Sequence, residues 1–167
     1  MKAIDSAGGL RGTKRLLYEG GIRAAMAVRW PDHVPAGRKS TFVWDMRDIF
    51  PTLCELGNAK NPENLDGISV VPTLMGKKQK SRDIHYWEIH SPFQQAVRFG
   101  NWKAIRFGTE ESLELYDLKN DPQETRNVAA DNPAVVEKLE TFLASARTDS
   151  PYFPAIQKKK RKKKKAL

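Results

Sequence analysis

Residues 95–107 read QAVRFGNWKAIRF, two runs rich in apolar and aromatic residues that meet at Gly100 and Asn101. A Gly-Asn pair between such runs predicts a two-residue β-hairpin, because glycine admits the positive φ that a tight turn demands. The same texture recurs in IHYWEIH (residues 84–90) and LELYDL (residues 113–118), so the region predicts a small antiparallel sheet. Beyond it, Asp131, Asn132 and Pro133 open a segment in which Val135, Val136, Leu139, Phe142, Leu143 and Ala146 recur every three or four positions. That stripe predicts one helix laid on one face of the sheet.

Upstream the pattern changes. KRLLYEGGIR (residues 14–23) packs two adjacent glycines between bulky residues, which permits close backbone approach or a positive φ. IRAAMAVRW (residues 22–30) is mostly apolar and is closed by Pro31, the pattern of a buried strand. RDIFPTLCELG (residues 47–57) predicts a short helix, with Asp48 as N-cap, Pro51 in the first turn and Gly57 just past the end. VVPTLMG (residues 70–76) predicts a further helical turn. The chain therefore divides into an α/β part over residues 1–80, a small α+β part over residues 81–150 and a tail over residues 151–167.

Charge separates the tail from the body. Of the 29 Lys and Arg residues, eight form the run KKKRKKKK that opens at Lys158 and closes at Lys165, so 21 basic residues face 20 acidic ones in the remainder. A run with no apolar residue buries nothing to offset the entropy of ordering, and disorder is expected there. The single cysteine, Cys54, excludes an internal disulfide and a cysteine metal cluster, and its apolar neighbours in PTLCEL suggest a packed core thiol. No run of eighteen apolar residues predicts a membrane span, and residues 1–14 lack the apolar stretch of a secretory signal. No helix-turn-helix, zinc spacing or RNA-binding aromatic motif accompanies the basic run.

The blocks GLRGTKRLLYEGGIR, VRWPDHVPAG, DIFPTLCELG, LDGISVVPTL, RDIHYWEIH, AVRFGNWKAIR and LYDLKNDPQETRNVA stand in this order along the chain. In that series the sequence resembles the C-terminal part of arylsulfatase-type sulfatases, of the alkaline phosphatase superfamily, from about Ser6 to Arg147. The resemblance implies an α/β fold: the last strand and helices of a large catalytic domain (residues 1–80), joined to a small antiparallel sheet with one packed helix (residues 81–150). The family reaction is hydrolysis of a sulfate ester. By position in the Tyr-Glu-Gly-Gly block, the resemblance makes Lys14 the lysine that contacts the sulfate, a task that suits a compact ammonium. Related sequences usually place a proline after the arginine of that block, where this chain has Ala24 and Ala25.

The same resemblance implies a formylglycine nucleophile, made within a Cys/Ser-x-Pro/Ala-x-Arg motif, and a calcium ion held by hard oxygen ligands. The chain shows neither signature. Cys54 is followed by Glu55, Leu56 and Gly57, and Ser150-Pro151 by Tyr152, Phe153 and Pro154. No cofactor is expected in this chain and no turnover from it alone. The resemblance sets this small sheet beside the substrate cleft, which makes His90, with Glu88 or Trp87, a candidate contact to the leaving group, weighed against a plain sheet-edge role. His85 and His90, five apart and so on opposite faces of a strand, do not suggest a shared metal. His33 reads as solvated, and Asp66 and Asp121 as turn residues that bond their own backbone. The rival reading is a non-catalytic module whose basic tail, residues 158–165, contacts polyanions without sequence preference. A phosphatase or phosphodiesterase of the same superfamily fits the lysine block and YDLKNDP less well.

Overall fold

A computed structural model describes residues 7–154. In chain order its elements are α1 (Glu19–Ile22), a 3-10 turn (Met46–Asp48), α2 (Ile49–Leu56), α3 (Val71–Leu74), β1 (Ile84–Ile89), β2 (Gln94–Phe99), β3 (Trp102–Arg106), β4 (Glu114–Asp117) and α4 (Pro133–Ser145). The described residues form two bodies, one of residues 7–24 with 83–154 and one of residues 25–82. The packing of Leu17 and Tyr18 against the sheet was not legible in the sequence.

The first body is built on a four-stranded antiparallel sheet in the order β1-β2-β3-β4. Phe99 pairs with Trp102 across the hairpin, and Gly100 takes φ +59 as the glycine-first turn requires. Alternation along the strands sends Val97, Ala104 and Leu115 to one face and Ala96, Ile105 and Tyr116 to the other. Leu139 and Leu143 of α4 seal the first face, with Val135, Val136 and Phe142 packed around them, as the stripe predicts. Leu17 and Tyr18 seal the second. The sheet is thus covered on both faces, by a helix from one end of this body's sequence and by an irregular segment from the other.

The second body is organised by polar contacts. Asp48 is buried, and its carboxylate accepts hydrogen bonds from the amides of Asp45 (3.0 Å) and Ile68 (2.8 Å) and from the Arg82 guanidinium. Thr52 Oγ1 donates to the Asp48 carbonyl at 2.5 Å and accepts from the Val70 amide at 3.0 Å. Asp48 stands at the N-cap of α2, but its side chain serves these partners instead of the helix amides. Val70 and Pro51 are the buried apolar side chains here.

Two expectations are corrected. Residues 23–30 form no strand, and residues 23–29 are exposed. A strand exists through its ladder, and among the described residues no amide of residues 25–30 finds a backbone acceptor. Cys54 is free but only half-buried, because α2 presents much of its apolar side outward.

Candidate functional site

Lys14 sits in a turn closed by the Leu16 amide donating to the Thr13 carbonyl at 3.0 Å. The next residue, Arg15, takes φ +78, a conformation sparsely used outside glycine. Gln94 holds this turn from the sheet. Buried at the start of β2, its Nε2 donates to the Arg15 carbonyl at 3.0 Å and its Oε1 accepts from the Leu17 amide at 3.2 Å. Both hydrogen-bonding ends of one carboxamide therefore fix the backbone just after Lys14.

The glycine pair fixes the far side of the segment. The Gly20 amide donates to the Arg11 carbonyl at 2.7 Å, and a Cβ on Gly20 would lie 2.5 Å from the Gly12 carbonyl oxygen. On Gly21 a Cβ would lie 2.0 Å from the Leu16 oxygen. Any larger residue would push the folded-back chain apart, which accounts for two consecutive glycines where the backbone passes this closely.

Below the segment lies a buried ionic group. Lys103 Nζ is 2.9 Å from Glu19 Oε1 and 2.9 Å from Glu124 Oε1, and all three side chains are almost wholly buried. Its contact with Glu124 Oε1 is an ion pair without hydrogen-bond alignment, whereas Glu124 Oε2 accepts the Glu19 amide at 2.6 Å. Burial pushes the Glu124 carboxyl above its ordinary range, and the nearby Lys103 ammonium only partly opposes this. Arg11 adds a clamp: its Nη1 donates to the Tyr116 hydroxyl and the Glu124 carbonyl, both at 2.8 Å, and its guanidinium lies 3.9 Å from the Tyr18 ring centroid.

Lys14 itself is exposed, and among the described residues no carboxylate pairs with it. His90 lies just past β1, half-buried, with its Nδ1 buried and without a hydrogen-bond partner among the described residues, and its ring edge-on to Phe153 at 5.8 Å. Nearby on β1, Glu88 accepts from Tyr86 at 2.7 Å and from Arg147 at 3.1 Å, and Gln95 links Tyr86 to Arg106. His85 is buried and stacks on Trp87, two residues along the same strand. Among the described residues no three His, Cys, Asp or Glu side chains converge to hold a metal ion. Asp121 accepts from Thr125 and the Arg126 amide, the turn role expected of it. His33 is exposed and stacks on Trp30.

Gln94, Lys103 and Glu124 were missed in the sequence reading. Lys103 carried a signal, since a lysine between the apolar residues Trp102 and Ala104 in a central strand needs an acid. Nothing local marked Glu124 as that acid.

A family described as "N-sulphoglucosamine sulphohydrolase, C-terminal" matches residues 12–149. An N-acetylgalactosamine-6-O-sulfatase of Bacteroides thetaiotaomicron is 31% identical over 154 residues, which span 83% of this chain and 30% of that protein. A mouse steryl-sulfatase is 35% identical over 108 residues, 61% of this chain and 17% of that one. Among solved structures, a 6S-sulfatase from a Bacteroides thetaiotaomicron locus for glycosaminoglycan metabolism superposes with a TM-score of 0.73 and 32% identity, covering 83% of this chain and 32% of that one. The chain thus spans about a third, or less, of the length of these relatives. A match to one family over the sheet, the helix and the segment that carries Lys14 means that this chain belongs to the sulfatases, as their C-terminal region.

Proposed function

We propose that this chain serves the binding side of sulfate-ester hydrolysis, with Lys14 as the residue that grips the sulfate. The observation that carries the reading is an exposed ammonium, without a carboxylate partner among the described residues, on a turn that the sheet holds through Gln94. An ammonium free of carboxylate partners keeps its charge for an incoming anion, and a turn fixed beforehand spends little entropy on binding. His90, whose Nδ1 has no partner among the described residues, is the second candidate contact, toward the alcohol part of the ester.

In sulfatases a formylglycine supplies the nucleophile and calcium polarises a sulfate oxygen. The described residues fit neither group, since no metal-holding cluster forms and Cys54 lacks the proline or alanine and the arginine that conversion needs. One electrostatic contact contributes a few kcal/mol, roughly what one oxyanion donor supplies, against the much larger barrier lowering that catalysis requires. The chain by itself is therefore inactive. Turnover of an aryl sulfate by the purified chain, above a heat-treated control, would refute this part of the reading.

A second reading rests on the sequence run at residues 158–165, which lies outside the described residues. Eight adjacent positive charges would bind a polyanion by counterion release, with steep salt dependence. Deleting residues 158–167 should abolish retention on a heparin column and leave the circular dichroism of the body unchanged. Retention that survives the deletion would exclude it.

A further inference from the structure

β2 opens on two buried carboxamides that face opposite ways. Gln94 and Gln95 are 0% and 2% exposed, and strand alternation sends one to each face of the sheet. A carboxamide is stable in such a place only when its hydrogen bonds are made. Gln94 makes its own to the turn that carries Lys14. Gln95 makes one to a second cation, its Oε1 accepting from Arg106 Nε at 2.7 Å. Adjacent residues of one strand therefore hold two basic segments, one on each face of the same sheet end.

The support of Arg106 is a directed chain. Gln95 Nε2 donates to the Tyr86 hydroxyl at 2.7 Å, and that hydroxyl donates to Glu88 at 2.7 Å. Glu88 is paired in turn with Arg147 at 3.1 Å. Arg147 also donates to the Phe153 carbonyl, and the Phe153 ring meets His90, so the network reaches the candidate contact to the alcohol part of the ester. Glu88, Gln95 and Arg106 stand side by side on β1, β2 and β3, and two strand spacings put about 10 Å between the ends of that row. A sugar that carries the ester, or its neighbour in an oligosaccharide, can bridge such a distance.

Arg106 keeps an open side. Its Nε is committed to Gln95, whereas among the described residues Nη1 and Nη2 have no hydrogen-bond partner and no carboxylate pairs with the guanidinium. Arg147, by contrast, is occupied by Glu88, Asp149 and the Phe153 carbonyl. The end of a guanidinium, with one N–H from each Nη, matches two oxygens of a carboxylate or of a sulfate. Arg106 is also half-buried and fixed at Nε, so little side-chain freedom is lost when an anion arrives. We infer that Arg106 is an anion subsite beside the ester site and selects sulfated sugars that carry a second anionic group, a carboxylate or a further sulfate. The inference names a substrate class for the sulfate-ester reading and rests on that reading, but not on the role of Lys14.

The test is equilibrium binding by the whole chain, followed by 1H–15N NMR that includes the Arg106 Nε–H signal. Each dianionic probe is compared with its monoanionic counterpart: galactose 2,6-disulfate with galactose 6-sulfate, and glucuronic acid linked to N-acetylgalactosamine 6-sulfate with the same disaccharide built on glucose. At least one dianionic probe should bind about tenfold more tightly than its counterpart and shift the Arg106 and Gln95 side-chain signals. Preference in the first pair alone identifies a second sulfate, and in the second pair alone a carboxylate. Arg106→Gln should erase the preference and leave binding of the monoanionic probes unchanged, and Arg106→Lys, a point charge without the fork, should restore part of it. Lys14→Met separates the two readings, because a preference that depends on Arg106 while Lys14→Met weakens no probe would refute the role of Lys14 and support the subsite. The inference is overturned by the absence of any preference, by no detectable binding of the dianionic probes, by a preference that survives Arg106→Gln, or by equal weakening of every probe in that variant. Should Arg106→Gln fail to fold, the Arg106 Nε–H signal of the unaltered chain decides: a shift confined to dianionic probes supports the subsite, and a silent signal overturns it.

Discussion

Lys103 Nζ lies 2.9 Å from Glu19 Oε1, an ion pair that joins residues 84 positions apart and ties the N-terminal segment to the centre of the sheet. Glu124 completes the group on the other side of the ammonium. Removing the cation would leave two buried carboxylates facing each other. Lys103→Met should therefore cost about 3 kcal/mol or more in urea denaturation at neutral pH. The loss should shrink in mild acid, where a protonated carboxyl no longer needs the ammonium. A loss that is small, or equal at both pH values, would mean that the group does not anchor the segment.

Glu124 sets a second pH dependence in the unaltered chain. A carboxyl held above its ordinary range binds its proton more tightly folded than unfolded. Its contribution therefore favours the fold in acid and is lost as pH rises from the ordinary glutamate range through the raised folded value. Glu124→Gln keeps the shape and removes the titration, so its stability relative to the parent should improve as pH rises across that window. Parallel stability curves would contradict the assignment.

Three phenols act at the alkaline end. Burial, and then the hydrogen bond to Glu114, pushes Tyr116 up to about 12; burial and Glu114 shift Tyr18 upward, and burial with Glu88 does the same for Tyr86. At about pH 11 these three should stay protonated while the chain is folded and ionise once it unfolds, given an ordinary tyrosine value near 10. Stability is accordingly complete below that ordinary value and declines above it. Absorbance at 295 nm should rise together with the loss of circular dichroism. Full ionisation before unfolding would contradict the described packing.

Gly21→Ala places a Cβ 2.0 Å from the Leu16 carbonyl oxygen, a clash with backbone that no rotamer relieves. We expect a loss of roughly 2 kcal/mol or more. Hydrogen exchange should locate it, with the Leu16 and Leu17 amides losing protection before those of β2 and β3. Uniform loss across the sheet would show that the segment and the sheet open as one unit.

The sheet, its hairpin and α4 were legible because each carries its own periodicity: alternation around Val97 and Ile105, and the Leu139–Leu143 stripe. The glycine pair signalled close approach, though not which carbonyls would be approached. Pairing between distant positions left no local trace, so the Gln94 bracket and the Glu124 partner of Lys103 could not be read ahead of the fold. Residues 22–30 misled for a physical reason. Their composition reports a preference for burial, but strand formation needs a partner that the described residues do not supply.

The most direct test of the account is equilibrium binding of a sulfated monosaccharide, followed by 1H–15N NMR on the chain and on Lys14→Met. Weak binding that shifts the Thr13–Leu16 turn, and that weakens about tenfold in the variant, is what a charge-assisted contact at Lys14 predicts. Equal binding by both chains, or shifts confined to other parts of the molecule, would contradict it.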